Sequence, residues 1–309
     1  MTIRPADQGD LPAIIDLLRA SLGEKLTPKS EALWRWKHQA NPFGKSPVLL
    51  AEDAGELVGV RAFLRWEFEH RGKTIRACRA VDTATHPDFQ GKGIFSRLTT
   101  KLVEQVSGEG VHVIFNTPNV KSAPGYLKMG WKEWGKLPLR ISPHLNARSG
   151  SKDSVDWKSI ATLIQNLENQ EKCSPKIRTR LVPGYIRWRY QDIPLADYKF
   201  LSDGESYLLV YRIKAGKLGR EFRLCDIFTT HDLREQQSKD LGRLLGMEIR
   251  SSGARFSSSS GLAPQIGKSL PTGLVTLPFG PLVTIRELSS GEAILDQDWG
   301  WTLGDLEVF

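Results

Sequence analysis

The sequence predicts a mixed α/β fold: a mostly antiparallel sheet flanked by helices, present twice in tandem. Three observations carry that prediction. The composition is globular, 309 residues with 40% hydrophobic and 25% charged side chains, long enough for two domains of about 150 residues. The front half reads β-α-α-β-β-β-α-β-α-β from its hydrophobic periodicity. The back half repeats pieces of the front half in the same order.

The elements follow from local chemistry. Residues 2–5 read as a short strand. Asp10 is placed to N-cap a helix over 11–21, with Pro12 in its first turn and Leu11, Ile14, Ile15, Leu17 and Leu18 on one face. A second helix over 30–39 carries Leu33, Trp34 and Trp36, and Asn41-Pro42-Phe43-Gly44 ends it. Strands at 47–52, 57–68 and 74–85 form an antiparallel meander. Ile94, Leu98, Leu102 and Val106 recur at four-residue steps, so a helix runs to about Ser107. A strand over 111–115, a short helix over 119–129 and one or two strands over 131–141 complete the unit.

The repeat is faint but ordered. Arg35-Trp36-Lys37 followed by Pro42 is echoed by Arg187-Trp188-Arg189 followed by Pro194. Arg76-x-Cys78 is echoed by Arg223-x-Cys225, and Thr85-His86 by Thr230-His231. The polar stretch 142–156 is the linker candidate, which divides the chain into 1–145, a linker over 146–156, and 157–309.

The chemistry concentrates in one segment. A β-branched strand ending at Thr85 is followed by His86-Pro87-Asp88-Phe89-Gln90-Gly91-Lys92-Gly93 and then by a helix. Glycines there let the backbone turn sharply, and the first amides of a helix have no internal partner. Such a turn suits a pyrophosphate, and Lys92 adds a formal charge. Neither G-x-x-x-x-G-K-[ST] nor a G-x-G-x-x-G in a βαβ unit occurs, which excludes those two phosphate-binding classes.

This segment resembles motif A of the GCN5-related N-acetyltransferase (GNAT) superfamily, [QR]-x-x-G-x-[GA], through Gln90 and Gly93. Phe95 stands where that family has Gly or Ala. Downstream, Asn119 and Tyr126-x-Lys128-x-Gly130-Trp131 resemble its motif B. The likeness covers residues 1–141. It implies that Thr83 and Thr85 bond the pantetheine arm and thioester, and that the amides of Gly91, Lys92, Gly93, Ile94 and Phe95 hold the pyrophosphate. It further implies that Asn119 bonds the cofactor arm and that Tyr126 protonates the departing thiolate. The implied donor is acetyl-CoA or another short acyl-CoA, with no metal. The implied reaction is direct attack by a primary amine of a small acceptor, such as an amino sugar or nucleotide-linked amino sugar. A non-catalytic acyl-CoA-binding module is the alternative.

The base that deprotonates the amine has three kinds of candidate: Asp82, the later acids Asp296, Asp298 and Asp305, and the terminal carboxylate of Phe309. Strict alternation sets Asp82 on the face opposite Val81, Thr83 and Thr85, unless a bulge intervenes. In the back half, Asp232-Leu233-Arg234-Glu235-Gln236-Gln237 replaces the glycine turn, so the second copy is expected to bind no CoA and to wall the acceptor pocket.

The remaining composition narrows the classes. The net charge is +8, of which +6 lies in the front half, a balance suited to a phosphorylated ligand. No Lys/Arg block with interleaved aromatics points to nucleic acid. Three scattered cysteines and no H-x-x-x-H pair disfavour disulfides and metal, and fit a reducing cytoplasm. No apolar run of about 18 residues predicts a membrane span, and the first residues lack a signal-like apolar region. A monomer of pseudo-dimeric domains or a homodimer is expected.

Overall fold

The structure is a computed structural model that describes residues 1–23, 28–144, 156–171, 173–262, 275–277, 280–289 and 293–306. The expected linker therefore lies outside the described residues, except for Asp156. In the front half the strands are β1 (Thr2–Pro5), β2 (Val48–Asp53), β3 (Glu56–His70), β4 (Lys73–Thr85), β5 (Val113–Asn116), β6 (Lys132–Lys136) and β7 (Leu139–Pro143). Its helices are α1 (Leu11–Leu22), α2 (Glu31–His38), α3 (Ile94–Gly108) and α4 (Ala123–Lys128). The back half supplies α5 (Ala161–Asn169), β8 (Arg178–Thr179), β9 (Tyr198–Ser202), β10 (Tyr207–Gly216), β11 (Gly219–Thr229), α6 (Glu235–Ser251), β12 (Phe256–Ser259), β13 (Val275–Leu277), β14 (Leu282–Glu287) and α7 (Leu303–Leu306).

Two mostly antiparallel sheets result. The first runs β1-β2-β3-β4-β5-β14-β6 with β8 joined to β3, and the second runs β13-β7-β12-β11-β10-β9. Both contain the same unit. β2-β3-β4 is antiparallel and α3 returns the chain to β5 parallel to β4. Likewise β9-β10-β11 is antiparallel and α6 returns it to β12 parallel to β11. Strands are exchanged between the halves: β14 enters the first sheet between β5 and β6, and β7 enters the second beside β12.

The pseudo-symmetry has a physical centre at the Trp pair that marked the repeat. Trp36 and Trp188 stack with centroids 4.9 Å apart, and each indole N–H donates to the other's carbonyl, at 2.7 and 2.8 Å. These tryptophans are core between the halves, so the sequence echo marks an internal interface.

Two local expectations change. Asp10 sits at the start of α1 but its side chain caps nothing there; Arg4 bonds both of its oxygens at 2.7 Å, and the Asp7 amide donates to Oδ2 at 2.7 Å. The bulge in the β3–β4 pair falls on Asp82, whereas that in the β10–β11 pair falls on Cys225. The Cys78–Cys225 echo is therefore out of structural register.

Candidate active site

The ladder between β4 and β5 spans Ala77–Val113 to Arg79–Phe115, and no further pair joins the two strands beyond it. β4 continues to Thr85, and its bulge decides which way its side chains point. Val81 pairs with Ala62 and Thr83 with Arg61, leaving Asp82 between them at φ 41°. Strict alternation thus fails at Asp82: Thr83 and Thr85 share the face under α3, and Val81 lies on the other.

Thr83 and Thr85 line a cavity of about 450 Å³ together with Phe89, Gln90, Gly91, Gly93, Ile94 and Phe95. Gly91 and Gly93 both have φ 76°, which glycine alone adopts without strain. Gly93 caps α3 with no side-chain hydrogen bond to the first turn. The first amides of a 15-residue helix are thus free to donate at the cavity, where the helix dipole favours an anion. Lys92 is exposed and its ammonium lies 4.3 Å from the centre of the Phe89 ring. An anionic, extended ligand fits this donor set.

Tyr126 projects from α4 and is 3% exposed. Its ring meets Phe95 edge-on at 5.5 Å and Trp131 at 5.1 Å. Phe95, the departure from the family pattern, has room because residue 125 is glycine: a Cβ there would lie 3.1 Å from the Phe95 ring. Phe95 also connects the phosphate turn to the tyrosine.

Arg61 is not among the residues that the sequence pattern singles out. This guanidinium is 0% exposed, and its Nη2 donates to the Tyr126 hydroxyl at 2.7 Å. Its Nε and Nη1 have no partner among the described residues. Donation into the phenol oxygen leaves the Tyr126 O–H to point elsewhere. The overlooked signal was a lone arginine inside the apolar run of β3.

Asp82 is placed differently from the expectation. One carboxylate oxygen accepts from Lys37 Nζ at 2.9 Å and bonds His38 Nε2 at 2.8 Å, both on α2. Burial pushes the Asp82 carboxyl up, but the Lys37 charge and the His38 hydrogen bond outweigh it and hold the group well below the usual carboxylate range. Burial lowers the His38 imidazole against the pull of Asp82, and its Nδ1 bonds Ser46 Oγ at 2.8 Å. One oxygen of Asp82 is thus already taken by Lys37 and His38.

Asn119 is exposed, and its Oδ1 accepts the Lys121 and Ser122 amides at 3.0 and 2.9 Å. That oxygen shapes the turn into α4, and the side-chain N–H₂ is what remains for a ligand. Asp305 is buried with α7, whereas Asp298 pairs with Lys176 at 2.9 Å. Phe309 lies outside the described residues. Among the described residues no cluster of three His, Cys, Asp or Glu could hold a metal, and no helix is long and apolar enough to cross a membrane.

A parted pair of strands, a glycine-capped helix and a buried tyrosine together line a site suited to an extended anionic ligand. The family model of the acetyltransferase (GNAT) domain matches residues 2–134. Those residues are a GNAT domain. The chain is 26% identical over 148 residues to the L-methionine sulfoximine/L-methionine sulfone acetyltransferase of Salmonella typhimurium, covering 45% of this chain and 84% of that protein. It is 29% identical over 121 residues to the L-amino acid N-acyltransferase MnaT of Escherichia coli, covering 37% and 67%. Across both halves, the fold matches a GCN5-related N-acetyltransferase from Anabaena variabilis with a TM-score of 0.67 at 12% identity, covering 93% of this chain and 73% of that one.

Proposed function

We propose that the protein is an N-acyltransferase that moves a short acyl group from coenzyme A to the primary amine of a small acceptor. The observation that carries this reading is the Arg61–Tyr126 pair, set beside the free amides of α3. The thioester supplies an activated carbonyl carbon. The amides from Gly91 to Phe95 and Lys92 hold the diphosphate, and Thr83 and Thr85 align the arm along β4. A backbone N–H on that strand stabilises the oxygen that gains charge as the amine attacks.

The new bond is N–C and the broken bond is C–S. Tyr126 gives its hydroxyl proton to the departing sulfur and recovers one from the solvent or the product. The amine loses its proton to water in the opening, since Asp82 is engaged. Arg61 is a positioning residue that fixes where the Tyr126 O–H points.

For the acceptor, the two relatives act on amino acids by their names, so an α-amino acid is the first acceptor class and an amino sugar the second. The test is release of free thiol from acetyl-CoA in the presence of amino acids, amino sugars and nucleotide-linked amino sugars. Turnover with one class, lost in Tyr126→Phe, supports the reading. Binding of acetyl-CoA with no turnover on any amine overturns it in favour of a binding module.

A further inference from the structure

A second cavity, of about 540 Å³, lies where the far end of the β3–β4 hairpin meets β8, β11 and the residues around α7. Glu69 marks its outer rim, and its inner wall lies by Arg79, whose Nη1 donates to the Asp305 carbonyl at 2.8 Å. It shares no lining residue with the cofactor cavity.

Its inner wall carries a pair of buried carboxylates with no arginine or lysine in direct contact among the described residues. Asp226 and Asp305 are 6% and 4% exposed. Neither has an ion-pair partner within 4 Å among the described residues; their donors are neutral. Tyr190 gives its hydroxyl to Asp226 Oδ2 at 2.6 Å, and Thr179 gives its own to Asp305 Oδ1 at 2.6 Å. Thr302 donates its amide to Asp305 Oδ2 at 2.8 Å. Asp226 Oδ1 has no donor among the described residues. The same cavity is lined by Tyr185, whose hydroxyl, on a side chain 0% exposed, has no hydrogen-bond partner among the described residues.

A buried carboxylate with one oxygen lacking a donor and an orphaned phenol are costly to leave unpaired. An ammonium group answers both deficits, since it carries one charge and three donors. The acid pair with neutral hydroxyls lacks the ligand number of a metal site.

We propose that this cavity binds a small organic cation through a primary ammonium group, seated between Asp226 and Tyr185. Burial, then the Asp305 charge, pushes the Asp226 carboxyl up to about 7, so binding strengthens as the pH rises through that value. The groups facing Asp226 are Asp305, Tyr185, Tyr190, Arg178, Arg189 and Cys225. Arg178 and Arg189 moderate the acid pair without contacting it.

The experiment is calorimetric titration of the full chain at pH 8 with 1,4-diaminobutane, and with 1,4-butanediol as the uncharged match. The expected result is saturable binding of the diamine and none of the diol. Asp226→Asn is expected to weaken the diamine at least tenfold while leaving acetyl-CoA binding unchanged. Tyr185→Phe, which removes only the hydroxyl, is expected to weaken it several-fold. Equal heats from diamine and diol, or a diamine affinity that neither substitution alters, overturns the proposal.

Discussion

The two β-α-β units of this chain have the same path and opposite chemistry at one turn. In the first, Gly91 and Gly93 at φ 76° lead into α3, and no side chain caps it. In the second, Arg234 precedes α6 in an extended conformation, its amide donates to Gln237 Oε1 at 3.0 Å, and Glu235 occupies the first turn. The strand ladders agree, three parallel pairs in each. Topology therefore builds an anion-ready helix end twice, and the cap residues decide whether its amides are left for a ligand. The front keeps them free; the back fills the space with side chains and adds a negative charge where a phosphate would sit.

The sharpest way to break this comparison is at Tyr126, for which the back half has no counterpart: Phe256–Ser259 there leads into Ser260 and Gly261. Tyr126→Phe should lower kcat on the order of 10²–10⁴-fold with KM for acetyl-CoA nearly kept, as expected for loss of a proton donor. Steady-state thiol release measures both constants. Next in size is the Asp82 cluster. Asp82→Asn leaves the buried Lys37 without its counter-ion and should cost about 3–5 kcal/mol in urea unfolding. In the native protein, Asp82 and His38 both have depressed values, so the unfolded state binds more protons in acid. The contribution of these two groups to stability is therefore full above about pH 6.5 and falls as the pH drops, first through His38 and then, below about pH 4, through Asp82. The difference in melting temperature between the wild type and Asp82→Asn, followed across pH 3–8, isolates this cluster: it should shrink toward acid, and a difference that grows toward acid would contradict it.

The Trp pair sharpens the symmetric part of the comparison. Trp36→Ala and Trp188→Ala should each destabilise by about 3–5 kcal/mol, and by similar amounts, because the contacts are reciprocal. A large inequality in denaturant midpoints would show that the halves are not equally dependent on this interface. Smaller again is Gly93→Val, which forces a β-branched residue to φ 76° and should weaken CoA roughly tenfold. Arg234→Gly in the back half should leave CoA affinity unchanged. The smallest effect belongs to Lys92→Ala, a loss of about threefold in CoA affinity that fades at high salt, since the ammonium is exposed.

Much of the front half was legible because its signals are local. α1, expected over 11–21, is Leu11–Leu22, and α3 begins at Ile94 because the glycines before it permit only a turn. The repeat was visible as well, since Trp36 and Trp188 are large residues that a shared interface preserves. The misses are long-range. Nothing local to Asp82 reveals that Lys37 and His38 wait on α2, or that a bulge turns it toward them. Arg61 gains its role only when α4 brings Tyr126 over β3, 65 residues later in the chain. The exchange of β7 and β14 is likewise absent from any periodicity, because strand partners at that separation leave no spacing signal.

The most direct test is the stoichiometry of coenzyme A on the full chain, by titration calorimetry of the wild type and of Gly93→Val. The account predicts one CoA per chain in the wild type and a weaker single site in the variant. Two sites per chain, or one site of unchanged affinity in Gly93→Val, would contradict it.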